Sequence, residues 1–177
     1  MNLEEKVKSI VRDVKDFPKP GILFKDITPL LAKPLLVKEI TQEIASHFHM
    51  QRIDAIAAVE ARGFIFGAIL AQELGCAFVP MRKAGKLPFK TVSQEYALEY
   101  GTAAVEVHMD AIQPGWNVLI HDDLLATGGT AGAAGNLIRK LGGNLIGFSF
   151  LINLSFLPGE QNLIRAFGIQ PSYIVSY

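Results

Sequence analysis

Apolar positions along this chain follow two rhythms, one of helical period and one of unbroken buried runs. Leu3, Val7, Ile10, Val11 and Val14 recur at helical spacing, and Glu4 and Glu5 sit near the positive end of that helix. Leu36, Ile40, Ile44 and Phe48 mark a second amphipathic helix. Between the two lies FPKPGILFKDITP, where prolines 18, 20 and 29 and Gly21 predict an irregular segment.

The period then changes. AIAAVE (55–60) reads as a buried strand, GFIFGAILAQELG (63–75) as an almost wholly apolar helix and AFVPM (77–81) as a strand. EYALEYG and AVEVH read as two short alternating strands joined at Gly101 and Thr102. WNVLIHDDLLA is a buried strand running into TGGT. A helix with Ala134, Leu137, Ile138 and Leu141 on one face follows. NLIGFSFLINL, LPGEQNLIRAFG and SYIVSY complete the chain as strand, helix and strand. Alternating strands and helices with short connections predict an α/β fold, with a central, mostly parallel sheet flanked by helices. The polar stretch 82–95 is the longest interior segment read as irregular, and a flexible lid is expected there.

Composition narrows the class. A length of 177 residues fits one domain, 1–177, with a hydrophobic core. Half the residues are apolar and 19% are charged, which excludes intrinsic disorder. Lysine plus arginine equal aspartate plus glutamate at 17 each, so no global field favours nucleic acid or an anionic membrane, and any anion site must be local. One cysteine, Cys76, excludes an intramolecular disulfide and suits a reducing, cytoplasmic setting. Charges throughout MNLEEKVKSIVRDVKDF argue against a signal peptide or a membrane span.

The chemistry concentrates in VLIHDDLLATGGT, 118–130. A buried strand ends in two carboxylates, and a glycine-rich turn opens a helix. A helix N-terminus offers unpaired N–H groups and a positive dipole end, which suit phosphate. Gly128 and Gly129 allow close backbone approach, and Thr127 and Thr130 add hydroxyls. An ordinary tight turn is the competing reading. The lysine of a Walker A loop is missing, and glycines 128, 129, 132 and 135 miss the dinucleotide-binding spacing. Two acids before the turn would repel phosphate unless they face ribose hydroxyls instead.

Strand, two acids and ATGGT together resemble the phosphoribosyl-diphosphate signature of the type I phosphoribosyltransferases. The resemblance implies that Ala126, Thr127, Gly128, Gly129 and Thr130 hold a 5′-phosphate, and that Asp122 and Asp123 meet the ribose 2′ and 3′ hydroxyls. His121 departs from the aliphatic residue usual before the acids. As a strand neighbour it points away from Asp122 and reads as a packed histidine.

FPKPGILFKDITP, EARGFIFG, RKAGKLP, LEYG and DDLLATGGT occur in the order seen in bacterial adenine phosphoribosyltransferases. By that likeness the chain transfers a 5-phosphoribosyl group from 5-phosphoribosyl 1-diphosphate to adenine, in a homodimer and with Mg²⁺ held mainly by pyrophosphate and ribose. The alternatives are another purine base as acceptor, or a non-catalytic regulator that senses the donor. A small hood is expected over about 17–33, completed by C-terminal residues. In it the Phe24 ring stacks on the purine while the backbone of Leu23 and Lys25 reads the base edge; read alone, Phe24 is equally an anchor packing its loop onto the core.

The likeness makes Glu60, Ala61, Arg62 and Gly63 a pyrophosphate loop, with room for a cis peptide in it. Arg62 then clamps pyrophosphate, and a salt bridge with Glu60 is the plainer reading. Arg82, Lys83 and Lys86 are expected to close over pyrophosphate, some of them reaching the neighbouring subunit; a charged run is otherwise a solvated face. Glu99 is implied as general acid or base toward the purine, with Tyr100 shaping the same corner. Outside the resemblance Glu99 is only the outward residue of a strand. His47 and His49 face different sides of a helix, His108 stands alone, Trp116 reads as a turn or core residue, and Cys76 reads as an inert thiol.

Overall fold

The computed structural model describes residues 1–98 and 101–177. Helices are α1 (Leu3–Ile10), α2 (Thr28–Leu31), α3 (Pro34–Ser46), α4 (Gly63–Leu74), α5 (Gly129–Lys140) and α6 (Gly159–Phe167). Strands are β1 (Arg12–Lys15), β2 (Leu23–Asp26), β3 (Ala55–Val59), β4 (Ala77–Lys83), β5 (Thr91–Ala97), β6 (Thr102–His108), β7 (Asn117–Leu125), β8 (Asn144–Asn153) and β9 (Ser172–Ser176).

Among the described residues seven strands form one sheet in the order β5-β6-β4-β3-β7-β8-β9. Strands β4, β3, β7, β8 and β9 run parallel, and β5 and β6 add an antiparallel edge. This is the expected α/β architecture. The wholly buried β3 lies between β4 and β7, so connections leave its two sides in opposite directions. Ligands in open α/β sheets bind at such a switch point, beyond the carboxyl ends of the strands.

The sheet buries both faces. On one, Val118, Ile120, Phe148 and Phe150 pack against Ala134, Leu137 and Ile138 of α5. On the other, Ile56, Leu119 and Leu151 pack against Ile40 and Ile44 of α3 and Phe66 and Leu70 of α4. The apolar character of 63–75 follows from this: α4 lies directly on β3 and β7. A Cβ at Gly67 would lie 2.6 Å from the Ala58 Cβ, so the glycine sets how closely helix and strand approach.

Two expectations need correction. The segment 17–29 is not wholly irregular: β2 pairs antiparallel with β1, Val14 opposite Phe24 and Asp13 opposite Lys25, and Thr28 begins a short helix. Pro18 and Pro20 fall in the connection between the two strands, where their missing N–H groups cost nothing. Val14 therefore belongs to β1, and α1 ends at Ile10. Likewise 82–95 is half strand, because β4 runs through Lys83 and β5 begins at Thr91, leaving 84–90 as the connection. Along β5, Val92, Gln94 and Tyr96 are partly buried while Ser93, Glu95 and Ala97 are exposed, the period-two pattern of a one-sided strand.

Candidate functional site

Strand β7 delivers its two carboxylates to its carboxyl end, beside the start of α4. Asp122 borders a cavity of about 80 Å³ with Ala126, Thr127, Gly128, Gly129 and Thr130. Asp123 shares the parity of Leu119 and His121, on the α4 face, and is only 5% exposed. Its backbone N–H donates to Asp122 Oδ1 at 2.8 Å. Desolvation raises both carboxyls above the ordinary aspartate range. Repulsion from Asp123 raises Asp122 further, whereas the Arg62 guanidinium opposes the rise at Asp123.

The turn that follows is a helix N-terminus opened by glycine. Gly128, at φ +80°, is the N-cap of α5, and its carbonyl accepts the Gly132 N–H at 2.8 Å. No side chain among the described residues caps this end, and the first N–H groups of α5 face the cavity. The turn is braced from α6. Asn162 Nδ2 donates to the Thr127 carbonyl at 3.0 Å, and a Cβ at Gly159 would overlap the Ala126 carbonyl. Neither brace is visible in the motif itself; the Pro158–Gly159 pair reads in sequence only as a helix start.

A second loop meets the first. The Glu60–Ala61 peptide at the end of β3 is cis. Gly63, the first residue of α4, lies against β7, and a Cβ there would be 2.8 Å from Asp122 Oδ1 and 3.1 Å from Asp122 Cα. Loop 60–63 and the acid pair are therefore in contact.

Arg62 and Glu60 do not pair with each other. Arg62 Nε lies 2.8 Å from Asp123 Oδ2, its NH1 donates to the Lys25 carbonyl at 3.2 Å, and its Cζ sits 4.6 Å from the centre of the Phe24 ring. The side chain remains 34% exposed. Glu60 turns to β4 instead: Arg82 NH2 donates to Oε1 at 2.8 Å and the Lys83 N–H donates to Oε2 at 3.0 Å. The hydrogen bond from Arg82 holds the Glu60 carboxyl below its usual range, against a smaller opposing effect of burial. Of the three expected lid cations, Arg82 is thus engaged by Glu60 and by the Lys86 carbonyl at 3.0 Å, whereas Lys83 and Lys86 are exposed.

The hood stands over the same end of the sheet. Phe24 meets Phe17 edge to face, with centroids 5.1 Å apart. Leu23 is exposed, and the Lys25 side chain is buried, its Nζ 2.7 Å from Asp13 Oδ1 and 3.7 Å from the centre of the Tyr177 ring. The partnership of Lys25 with Asp13 and Tyr177 joins segments far apart in the chain, which local sequence reading misses. Glu99 and Tyr100 lie outside the described residues. The strand before them approaches the turn, since a Cβ at Gly129 would lie 3.2 Å from Tyr96 Cδ2 and 3.6 Å from the Ala97 carbonyl.

His121 is fully buried, with Nδ1 3.3 Å from Ser149 Oγ and no hydrogen bond at Nε2; desolvation lowers it to about 4. It is the packed, neutral histidine expected. Among the described residues no cluster of three or more histidine, cysteine or acidic side chains could hold a metal, and no helix is long and apolar enough to cross a membrane.

A mostly parallel sheet with a glycine-opened helix N-terminus at its switch point defines the class of α/β proteins that bind phosphate-bearing ligands at the carboxyl ends of their strands. The chain belongs to the family of the phosphoribosyl transferase domain, whose model matches residues 26–155. It is 55% identical to the adenine phosphoribosyltransferase of Cytophaga hutchinsonii over 161 residues, 91% of this chain and 89% of that protein. With the adenine phosphoribosyltransferase of Thermobifida fusca it shares 54% identity over 153 residues, 86% of this chain and 87% of that one. The crystal structure of adenine phosphoribosyltransferase from Thermoanaerobacter pseudethanolicus superposes with a TM-score of 0.94 at 46% identity, covering 99% of this chain and 100% of that one. The Saccharomyces cerevisiae enzyme, complexed with an imino-altritol bisphosphate and adenine, gives 0.89 at 37% identity, covering 97% and 98%.

Proposed function

We propose that this chain transfers the 5-phosphoribosyl group of 5-phosphoribosyl 1-diphosphate to adenine, giving AMP and pyrophosphate in purine salvage. The observation that carries the reading is the junction of β7 and α5, where the acid pair leads into the uncapped helix start. The N–H groups from Gly128 onward receive the 5′-phosphate. Asp122 and Asp123 accept hydrogen bonds from the ribose hydroxyls and hold C1 toward the hood, where the Phe24 ring stacks on adenine. The backbone of Leu23 and Lys25 reads the edge of the base.

Bond breaking at C1 leaves positive charge on the ribose ring and negative charge on pyrophosphate. The nearby carboxylates favour the first, and cations of loop 60–63 and segment 82–86 favour the second. Glu99 serves as the acid or base toward the purine nitrogen. Mg²⁺ is held mainly by pyrophosphate and ribose, beside the desolvated carboxyls of Asp122 and Asp123. Bound there, Mg²⁺ neutralises charge on the leaving group. The partly exposed Phe64 and Ile65 and the exposed Ala68 and Ile69 on the outer side of α4 support a homodimer. A free Cys76 suits the cytoplasm.

The decisive assay supplies donor, Mg²⁺ and each purine in turn. AMP and pyrophosphate should form with adenine; equal or faster turnover of hypoxanthine or guanine would sink the adenine assignment. Donor binding without pyrophosphate release for any base would instead mark a regulator. Sedimentation of the purified protein measures the dimer.

A further inference from the structure

Lys25 is an unusual residue to find buried, because an ammonium loses its hydration there unless neighbours replace it. Here two neighbours do so. Asp13, paired opposite Lys25 across the β1–β2 ribbon, offers Oδ1 at 2.7 Å. The other comes from the far end of the chain, the Tyr177 ring, whose centre lies 3.7 Å from Lys25 Nζ. The Tyr177 hydroxyl is buried and has no hydrogen-bond partner among the described residues, so the side chain is present for its ring and not for its polar tip.

Tyr177 is itself anchored through its backbone. Its N–H donates to the Asn153 carbonyl at 2.9 Å, and its carbonyl accepts from the Ser155 N–H at 2.9 Å and the Ser155 hydroxyl at 2.7 Å. The end of β8 that receives it is joined in turn to β7, by a 3.0 Å bond from the Leu154 N–H to the Leu125 carbonyl. Tyr177 is therefore tied to the sheet at its base and to the hood through its ring. On the other side of Lys25, the backbone carbonyl accepts from Arg62 NH1 at 3.2 Å. The ribbon is held twice, by its side chain from the C-terminus and by its backbone from α4.

From this geometry we infer that Tyr177 is a positioning residue for the acceptor base: its ring clasps Lys25 and so holds β2 in register for base recognition. The inference rests on the adenine reading of the hood. A ribbon of two short strands is marginal by itself, so without the clasp it must be ordered when the base arrives, and that cost weakens base binding. A change of the ring leaves the backbone bonds of Tyr177 to Asn153 and Ser155 in place, so the donor is affected less than the base.

The test compares Tyr177→Leu with Tyr177→Phe, which keeps the ring and deletes the unbonded hydroxyl. Tyr177→Leu should raise KM for adenine roughly tenfold, the order of a desolvated cation–ring contact, while KM for the donor and kcat stay within about twofold. Tyr177→Phe should match the parent protein. Lys25→Met, which leaves the C-terminal strand untouched, should shrink the effect of Tyr177→Leu when the two are combined. Should Tyr177→Leu fail to fold, Lys25→Met alone decides, by the same rise in KM for adenine. Hydrogen exchange over residues 12–26 in ligand-free protein gives a reading that needs no substrate. It should accelerate about tenfold in Tyr177→Leu and in Lys25→Met, but not in Tyr177→Phe. Parent protein inactive on adenine refutes the adenine reading and leaves exchange to judge the clasp. Unchanged exchange, or Tyr177→Phe as impaired as Tyr177→Leu, overturns the clasp itself.

Discussion

Arg62 Nε and Asp123 Oδ2, 2.8 Å apart, bridge the start of α4 to the end of β7, and the same guanidinium reaches the Lys25 carbonyl in the hood. One side chain thus joins loop 60–63, the acid pair and β2. Arg62→Ala leaves Asp123 buried beside a second carboxylate. The loss in stability should be about 1–3 kcal/mol, less than for a fully buried pair because Arg62 is 34% exposed. Arg62→Lys should recover only part of it, since an ammonium cannot reproduce the fork. Urea denaturation of both variants measures the difference.

Asp122 sets function against stability. Its folded carboxyl titrates above the ordinary value of 3.8, so its contribution favours folding below that value and is lost as pH rises through the folded value. Once ionised, Asp122 therefore opposes folding, through its burial and its repulsion from Asp123. Asp122→Asn should raise Tm by roughly 2–4 °C at pH 7. Turnover should fall roughly ten- to hundredfold, the worth of a hydrogen bond to a charged group. Calorimetry and an activity assay on the same sample test both halves.

His121 gives the opposite slope. Lowered to about 4 in the folded state from 6.5, it contributes stability above pH 6.5 that disappears as pH falls toward 4. In that window the slope from this one group is at most about 1.4 kcal/mol per pH unit. His121→Leu should flatten the slope and leave turnover intact, because the ring touches no part of the site. Chemical denaturation at pH 7 and pH 5 reads the change.

Gly159 lies outside the signature yet supports it. A Cβ there would meet the Ala126 carbonyl and push the turn. Gly159→Ala should cost about 1–3 kcal/mol by overpacking. It should raise KM for the donor while sparing KM for adenine, the reverse of the pattern expected at Tyr177. Steady-state titration of each substrate separates the two.

What was legible in the sequence was local. Strand, acids, glycines and helix are consecutive between Asn117 and Lys140, so β7, the turn and α5 follow from order alone. The partner of Arg62 was not legible, because Glu60 is close in sequence while Asp123 is close only once β3 and β7 lie side by side. The hood was obscured for a related reason. Pro18 and Pro20 break the connection and not the strands, whose pairing of Arg12 with Asp26 spans the loop between them. In β5, polar residues on the outer side masked an alternation that Val92 and Tyr96 satisfy by packing on the core.

The position of β3 between β4 and β7 has a consequence for how such a protein can change over generations. Loop 60–63 and the turn 126–130 hang from adjacent central strands whose side chains are locked into the two cores, so substitutions there disturb the fold and, on the proposed function, the donor site together. The hood is a separate two-stranded ribbon, and β5 and β6 form an edge joined to the sheet through Arg82 opposite Glu106 and Lys83 opposite Val105. The β1–β2 ribbon lies outside that sheet, and substitution at its exposed positions costs the interior little. On the proposed function, preference among acceptors is therefore the trait free to drift, while the handling of the phosphorylated sugar stays bound to the architecture that makes the chain fold.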